Sequence, residues 1–281
     1  MSESAVYRPH PEEPALATLR DEVATDLWAG LTAQHFELVS RGDFVSGVLY
    51  RGRPVDRDPE SDSPLLLIQH ATAGGAYSDY LACAAAWSKE GLAIASIDLP
   101  LHGARSSPKL SGRLVDGIRR LSQDEELDQD CWALVEEFAR QTTSDLVRTL
   151  DALSALPGID PNRLGFMGFG LGAIAGCYLL AHDPRLRALV LAGVGAGGPA
   201  DFDARTYLDR ARSTVPNSPA GRDILVVAAK DDEHLSGKQV DALFEAAPEP
   251  KEILRTKGCA RALPKEILTK IEAFLRRTLE F

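Results

Sequence analysis

Leu164-Gly-Phe-Met-Gly168-Phe-Gly170-Leu-Gly172-Ala-Ile-Ala-Gly176 is the stretch from which the rest of the chain can be laid out. It opens as an uncharged apolar run, the mark of a strand covered on both faces. Glycine then stands at positions 168, 170 and 172, which suits a turn too tight for side chains. Small and apolar residues continue to Gly176 and predict the first turns of a buried helix. Strand, sharp turn and helix in this order are half of a βαβ unit.

The flanks repeat the rhythm. Upstream, Leu134, Phe138, Leu146, Leu150 and Leu153 recur at helical spacing between Cys131 and Leu156, and Pro157-Gly158 stops that helix. Downstream, the helix after the glycine turn ends near His182-Asp-Pro184, and Ala188-Leu-Val-Leu-Ala192 is another buried strand. Phe202 to Arg212 reads as a helix, Ile224 to Ala228 as a strand, Lys238 to Ala247 as a helix and Glu252 to Arg255 as a last short strand. Pro264 opens a terminal helix with Ile267, Ile271, Phe274, Leu275 and Leu279 on one face.

Towards the other end, His35 to Ser40 and Asp43 to Tyr50 alternate apolar and polar residues around Arg41-Gly42, a hairpin signal. Leu65-Leu-Leu-Ile-Gln-His70 and Leu92-Ala-Ile-Ala-Ser-Ile97 are buried strands joined by a helix expected from Tyr77 to Glu90. This spacing makes the sheet mainly parallel. Residues 1–34 read as an irregular arm with a short helix from Asp21 to Leu31. Residues 107–130 break the alternation and predict a short helical insertion over the carboxyl edge of the sheet.

Composition narrows the function. A net charge of −10 and a pI near 5.1 argue against nucleic acid or an anionic membrane as partner. No apolar run approaches the ~20 residues of a membrane span. The polar start, Met1 to Pro14, has no basic and apolar leader pattern, so no secretory signal is expected. Cys83, Cys131, Cys177 and Cys259 are scattered without a paired spacing. Neither a metal site nor a disulfide framework is expected, and the thiols fit a reducing cytoplasm. Cys83 and Cys177 read as core. No cofactor is expected.

Four stretches together give the chain a likeness. His70 with Gly74-Gly75 follows one strand, and Asp98-Leu-Pro-Leu-His102-Gly103 with Ser106 follows the next. The glycine turn and Ala262-Leu-Pro264 before the terminal helix complete the set. In this order they resemble the α/β-hydrolase family, in particular small bacterial esterases and dienelactone-hydrolase-like enzymes. The resemblance implies a single α/β domain over residues 35–281, with an eight-stranded, mostly parallel sheet flanked by helices. Residues 107–130 would be a small cap.

The resemblance also implies a site. The family turn is G-x-S-x-G, with the catalytic serine in the middle. That position is Gly170. The oxyanion hole would be formed by the backbone amides of Leu171 and Ala71, with His70 shaping the loop. The acid position fits Asp231, with Asp232 beside it. The family histidine belongs between Lys257 and Pro264, where there is none: alignment on Gly258 puts Cys259 there, and alignment on Ala262-Leu-Pro264 puts Arg261 there. His234 is the last histidine in the chain.

Acyl transfer needs a hydroxyl or thiol activated by a base. Glycine supplies neither group, and arginine stays protonated. Backbone donors survive both losses. The first reading is therefore a non-hydrolytic binder of a small carbonyl or carboxylate ligand, or of a protein partner. The second is an active hydrolase or lyase with a displaced site drawn from His102, Asp231, His234 and Cys259. Each of these residues also has a plain reading: His102 as a loop anchor, Asp231 and His234 as solvated surface groups, Cys259 as an idle thiol. Arg261 is either an anion partner or a surface ion pair. The third reading is a dinucleotide site, from Gly170-x-Gly172-x-x-x-Gly176 after a strand. That motif wants an acidic residue at the end of the next strand, where this chain has Gly193-Val-Gly195.

Overall fold

The computed structural model describes residues 15–24, 31–52, 61–72, 74–76, 81, 86–123, 125–197, 202–214, 222–230, 232, 235–257 and 263–281. Its strands are β1 (Thr18–Ala24), β2 (Leu31–Ser40), β3 (Asp43–Gly52), β4 (Ser63–Gln69), β5 (Ala93–Ile97), β6 (Ile159–Phe169), β7 (Leu186–Ala192), β8 (Asp223–Ala229) and β9 (Lys251–Thr256). Its helices are α1 (Leu110–Ser122), α2 (Gln129–Ser154), α3 (Leu171–His182), α4 (Ala204–Thr214), α5 (Gly237–Ala246) and α6 (Lys265–Leu279). The strands form one sheet in the order β1-β2-β3-β5-β4-β6-β7-β8-β9. β5 to β9 together with β4 are parallel, and β1, β2 and β3 are antiparallel at one edge.

The apolar runs become the middle of the sheet because both faces are covered. Leu65 and Leu67 face α2, α3, α4 and α5, while Leu66 and Ile68 face α6 and Trp87. α6 buries Ile267, Ile271, Phe274, Leu275 and Leu279 on one face, each contributing about 1.5–3 kcal/mol relative to exposure. The expected hairpin closes at Arg41-Gly42, whose φ angles of 52° and 85° are those of a two-residue type I′ turn.

Two expectations change. The segment read as a helix from Asp21 to Leu31 is extended in its described part: Thr18–Ala24 is β1, and Leu31 already belongs to β2. The sheet therefore has nine strands among the described residues, not eight. Pairing along β2 gives β1 cross-strand hydrogen bonds, and such tertiary pairing overrides a weak local helix preference. Of the helix expected from Tyr77 to Glu90, Leu81 and residues 86–88 are helical, and most of the remainder lies outside the described residues.

The strand order positions the site. β4 leads to β5 on one side of it, whereas β6, on its other side, leads to β7 in the opposite direction. Loops leaving adjacent parallel strands in opposite directions open a crevice at the carboxyl edge, where ligands bind in open α/β sheets. Here the two loops are the segment after His70 and the turn at Gly170. A third apolar cluster, Leu99, Leu114, Val135, Phe138 and Leu171, joins α1 and α2 to the start of α3 above that edge.

Candidate functional site

The three glycines of the turn have two different reasons to be there. A Cβ at Gly168 would lie 2.3 Å from the Gly172 carbonyl oxygen, and one at Gly172 would lie 2.5 Å from the Gln69 carbonyl oxygen. Those two let α3 sit directly on the ends of β4 and β6. Gly170 differs. Its φ of 52° and ψ of −111° are strained for any residue with a Cβ, yet a Cβ there would meet only Ala71 among the described residues, at 3.4 Å. No described residue blocks a side chain here; the backbone angle is what favours glycine. The turn is fixed by Gly170 N–H donating to the Ala192 carbonyl (2.8 Å), and by its own carbonyl accepting from Ala173 and Ile174 (3.0 and 3.1 Å).

Across the crevice, Ala71 is held as firmly. Its carbonyl accepts from the Gly74 amide at 3.0 Å and lies 2.9 Å from His70 Nδ1. The Leu99 amide donates to His70 Nε2 at 3.4 Å. With Nε2 an acceptor, Nδ1 carries the proton and donates to Ala71, so the imidazole is neutral. Burial pushes the His70 pKa down to about 4, against the opposing pull of the Ala71 carbonyl. His70 is thus an anchor of the loop that follows β4.

Asp98, read in the sequence as the start of the Asp98-Leu-Pro-Leu-His102-Gly103 loop but not as a site residue, ties the second loop to the first. It is 3% exposed. Its Oδ1 accepts from the Ala76 amide at 2.7 Å and its Oδ2 from the Ala104 amide at 3.0 Å. Gly103, at φ 53°, passes so close that a Cβ would lie 2.0 Å from Oδ1. Arg105 donates to the Asp98 carbonyl (3.1 Å) and to buried Asp145 on α2 (2.6 Å), fixing the loop to the helix above. An aspartate closing an apolar strand just before Pro100 and Gly103 was the available signal.

No protein-family model matches the chain, and no curated protein matches it by sequence. By structure it is similar to a cold-adapted esterase from an Arctic intertidal metagenomic library, with a TM-score of 0.69, 20% identity, and 92% of this chain covering 97% of that one. It is similar to an acetyl xylan esterase from Paenibacillus sp. R4, with a TM-score of 0.71, 15% identity and coverage of 95% and 90%. It is also similar to a putative dienelactone hydrolase from Klebsiella pneumoniae, with a TM-score of 0.60, 15% identity and coverage of 90% and 99%. The fold is that of the α/β-hydrolases.

The carboxyl edge of the sheet has a sharp strand-to-helix turn between β6 and α3. Gly170 stands at that turn, with Leu171 opening α3 and Ala71 opposite. His102 is brought near the same edge, but it is 4% exposed and its Nδ1 is 2.9 Å from the Pro100 carbonyl. Burial lowers its pKa, and its Nε2 has no hydrogen-bond partner among the described residues. Its ring stands 5.3 Å from that of His70 and 6.1 Å from that of Phe138. Asp231, His234, Cys259 and Arg261 lie outside the described residues. Cys177 is fully buried, as its place on α3 requires, and burial pushes its thiol pKa up. Among the described residues, no three His, Cys, Asp or Glu side chains converge on a metal-sized site. No helix among them is long and apolar enough to cross a membrane.

The neutral His70 carries a pH prediction. Unfolded histidine takes up its proton near pH 6.5, and folded His70 near pH 4. Between these values the unfolded state binds more protons. The stability His70 contributes is therefore complete above about pH 6.5 and is lost progressively as pH falls towards 4. The loss is about 3 kcal/mol. His102 and His182, also lowered by burial, act in the same direction. Urea midpoints should fall from pH 7 to pH 4.5, and His70→Asn should flatten that slope. An unchanged slope in the variant would remove His70 from this role.

Proposed function

We propose that this protein is a non-hydrolytic binder of a small carbonyl or carboxylate ligand, held by the Leu171 and Ala71 amides. The observation that carries this reading is the backbone of Gly170: it has the angles of a nucleophile turn, with room for a Cβ and no side chain. The start of α3 adds its partial positive charge at the same point. Among the described residues, no histidine atom lies within 4 Å of a Cβ built at 170. The imidazoles of the two nearby loops, His70 and His102, donate their Nδ1 protons to backbone carbonyls. Scattered cysteines support a reducing cytoplasm as the setting.

The Nε2 of His102, which has no hydrogen-bond partner among the described residues, is the one observation favouring a displaced hydrolytic site. Against it stands the enclosure of the ring between Phe138 and His70. A single pair of measurements separates the readings. Turnover of p-nitrophenyl acetate is expected to stay at the buffer rate. Acetate or butanoate at 100 times its dissociation constant is expected to stabilise the fold by about 2.7 kcal/mol. Turnover above background that disappears in His102→Ala would replace the binder with the displaced-site enzyme.

A further inference from the structure

We propose that the buried Arg105–Asp145 pair is an acid-released latch: it holds the loop between β5 and α1 against α2 near neutral pH and frees that loop in mild acid. The inference involves no ligand and stands apart from the carboxylate reading. It begins from one nitrogen. Nη1 of Arg105 donates to the Asp145 carboxylate at 2.6 Å and to the Asp98 carbonyl at 3.1 Å. Arg105 closes the short 3₁₀ turn Gly103–Arg105, Asp98 follows β5, and Asp145 lies within α2. Three elements therefore meet at one guanidinium.

The two partners are unequally buried. The Asp145 side chain is 2% exposed and that of Arg105 is 13% exposed. If the bond breaks, the guanidinium reaches water with a small movement and the carboxyl does not. The carboxyl keeps a partner where it is: the Ser40 hydroxyl donates to it, and Ser40 Oγ lies 3.2 Å from Ser144 Oγ on α2. α2 is also tied to the β2–β3 hairpin by Arg41 and Glu137, at 3.4 Å. Loss of the pair leaves α2 in place and lets the loop go.

Acid acts on one partner only. The guanidinium stays protonated throughout, so a proton and Arg105 compete for Asp145. Burial pushes the Asp145 carboxyl above its ordinary value, against the pull of Arg105 and Ser40, and the charge of Asp43 at the start of β3 adds to the push. Asp145 is therefore neutralised in milder acid than an exposed aspartate, and once neutral it no longer holds the cation. Because the folded value is the higher one, protonating Asp145 favours the folded chain over the unfolded one as pH falls; the loss is confined to the loop. By reciprocity, removing Arg105 must raise the Asp145 pKa further. The other ionisable groups at the loop are Asp98 and His102 within it and His70 against it. Burial lowers both imidazoles, His70 to about 4, and replacing Asp145 or Arg105 leaves both of them in place.

The test is hydrogen exchange read by mass spectrometry on peptides covering residues 98–109 of the full chain. It is run at about pH 7.5 and about pH 5, each rate being divided by that of the unstructured peptide at the same pH. The Ala104, Arg105 and Ser106 amides are protected in the latched loop by bonds to Asp98, His102 and Gly103. In the parent, the relative rate of this segment should rise roughly tenfold at the lower pH, the effect of losing one charged hydrogen bond. Residues 164–169 of β6 should not change. Asp145→Asn, whose side chain is uncharged at either pH, should show the fast rate at both, and so should Arg105→Gln. An NMR titration of the Asp145 carboxyl carbon should give a midpoint above those of exposed aspartates in the parent, and higher still in Arg105→Gln. Equal protection of the parent loop at both pH values would overturn the latch. So would an Asp145 midpoint at or below those of exposed aspartates. A pH effect that survives in the variants belongs to His70 or His102 and overturns it too. If either variant fails to fold, the exchange and titration of the parent still decide.

Discussion

Replacing Asp98 by alanine is expected to cost the fold about 2–4 kcal/mol and to weaken carboxylate binding at the Gly170 turn at least tenfold. Each backbone N–H bonded to a carboxylate is worth about 1.5–3 kcal/mol. Asp98 accepts two of them, and Ala76, which donates one, is itself buried. The exposed Ala104 amide can turn to water, which keeps the total below the simple sum. The loss of binding follows from connection: Asp98 holds the Ala76 amide, close in the chain to the proposed ligand donor Ala71. Asp98→Asn should fall between alanine and the parent, because one face of the side chain becomes a donor aimed at a donor. Urea unfolding with an unchanged m-value measures the first effect, and acetate titration of the folded variant the second. A stability loss under about 1 kcal/mol, with acetate binding intact, would mean that the two loops hold themselves.

Rebuilding the chemistry should take two substitutions. Gly170→Ser has room for its Cβ, with Ala71 at 3.4 Å, and is expected to cost about 1 kcal/mol for the positive φ. Its hydroxyl has no base to take its proton, so p-nitrophenyl ester turnover should rise only to the level that oxyanion binding alone sustains, roughly 10³ over water. Adding a histidine should raise the rate by a further ~10² or more, the usual contribution of a placed general base. Arg261→His is the first partner to try, from the Ala262-Leu-Pro264 register, and Cys259→His the second. Asp231 would have to lie within hydrogen-bond reach of the new imidazole. If Gly170→Ser alone equals the double variants, a base is already in place. His102, whose Nε2 has no hydrogen-bond partner among the described residues, would be the first residue to replace, and the non-hydrolytic reading would be withdrawn.

Much of the fold was legible in the chain. Apolar runs at 65–69, 93–97, 164–169, 188–192 and 224–228 became six-strand parallel architecture with the neighbouring edge strand, because an uncharged run of that length is stable only when covered on both faces. The apolar spacing of α6 and the Arg41-Gly42 hairpin were equally plain, since each follows from local periodicity or turn geometry. β1 was not. Thr18 to Ala24 has mixed polarity, and its state depends on the edge of β2 being there to pair with.

The site divides along the same line. Gly168, Gly170 and Gly172 alone announce a turn in which backbones meet, and the absence of a hydroxyl at 170 or a histidine beyond 234 is a property of the sequence. Which glycine is required by contact and which by its backbone angle was decided in three dimensions: the carbonyls that crowd Gly172 belong to Gln69 and His70, about a hundred residues away. The same holds for Asp98, whose carboxylate reads as an ordinary loop charge until β4 and β5 lie side by side and bring Ala76 and Ala104 to its two oxygens. Leu101 takes its positive φ as the third residue of a turn whose second residue is Pro100, which the chain does announce; that the His102 amide closes this turn on the Leu99 carbonyl is seen only in three dimensions.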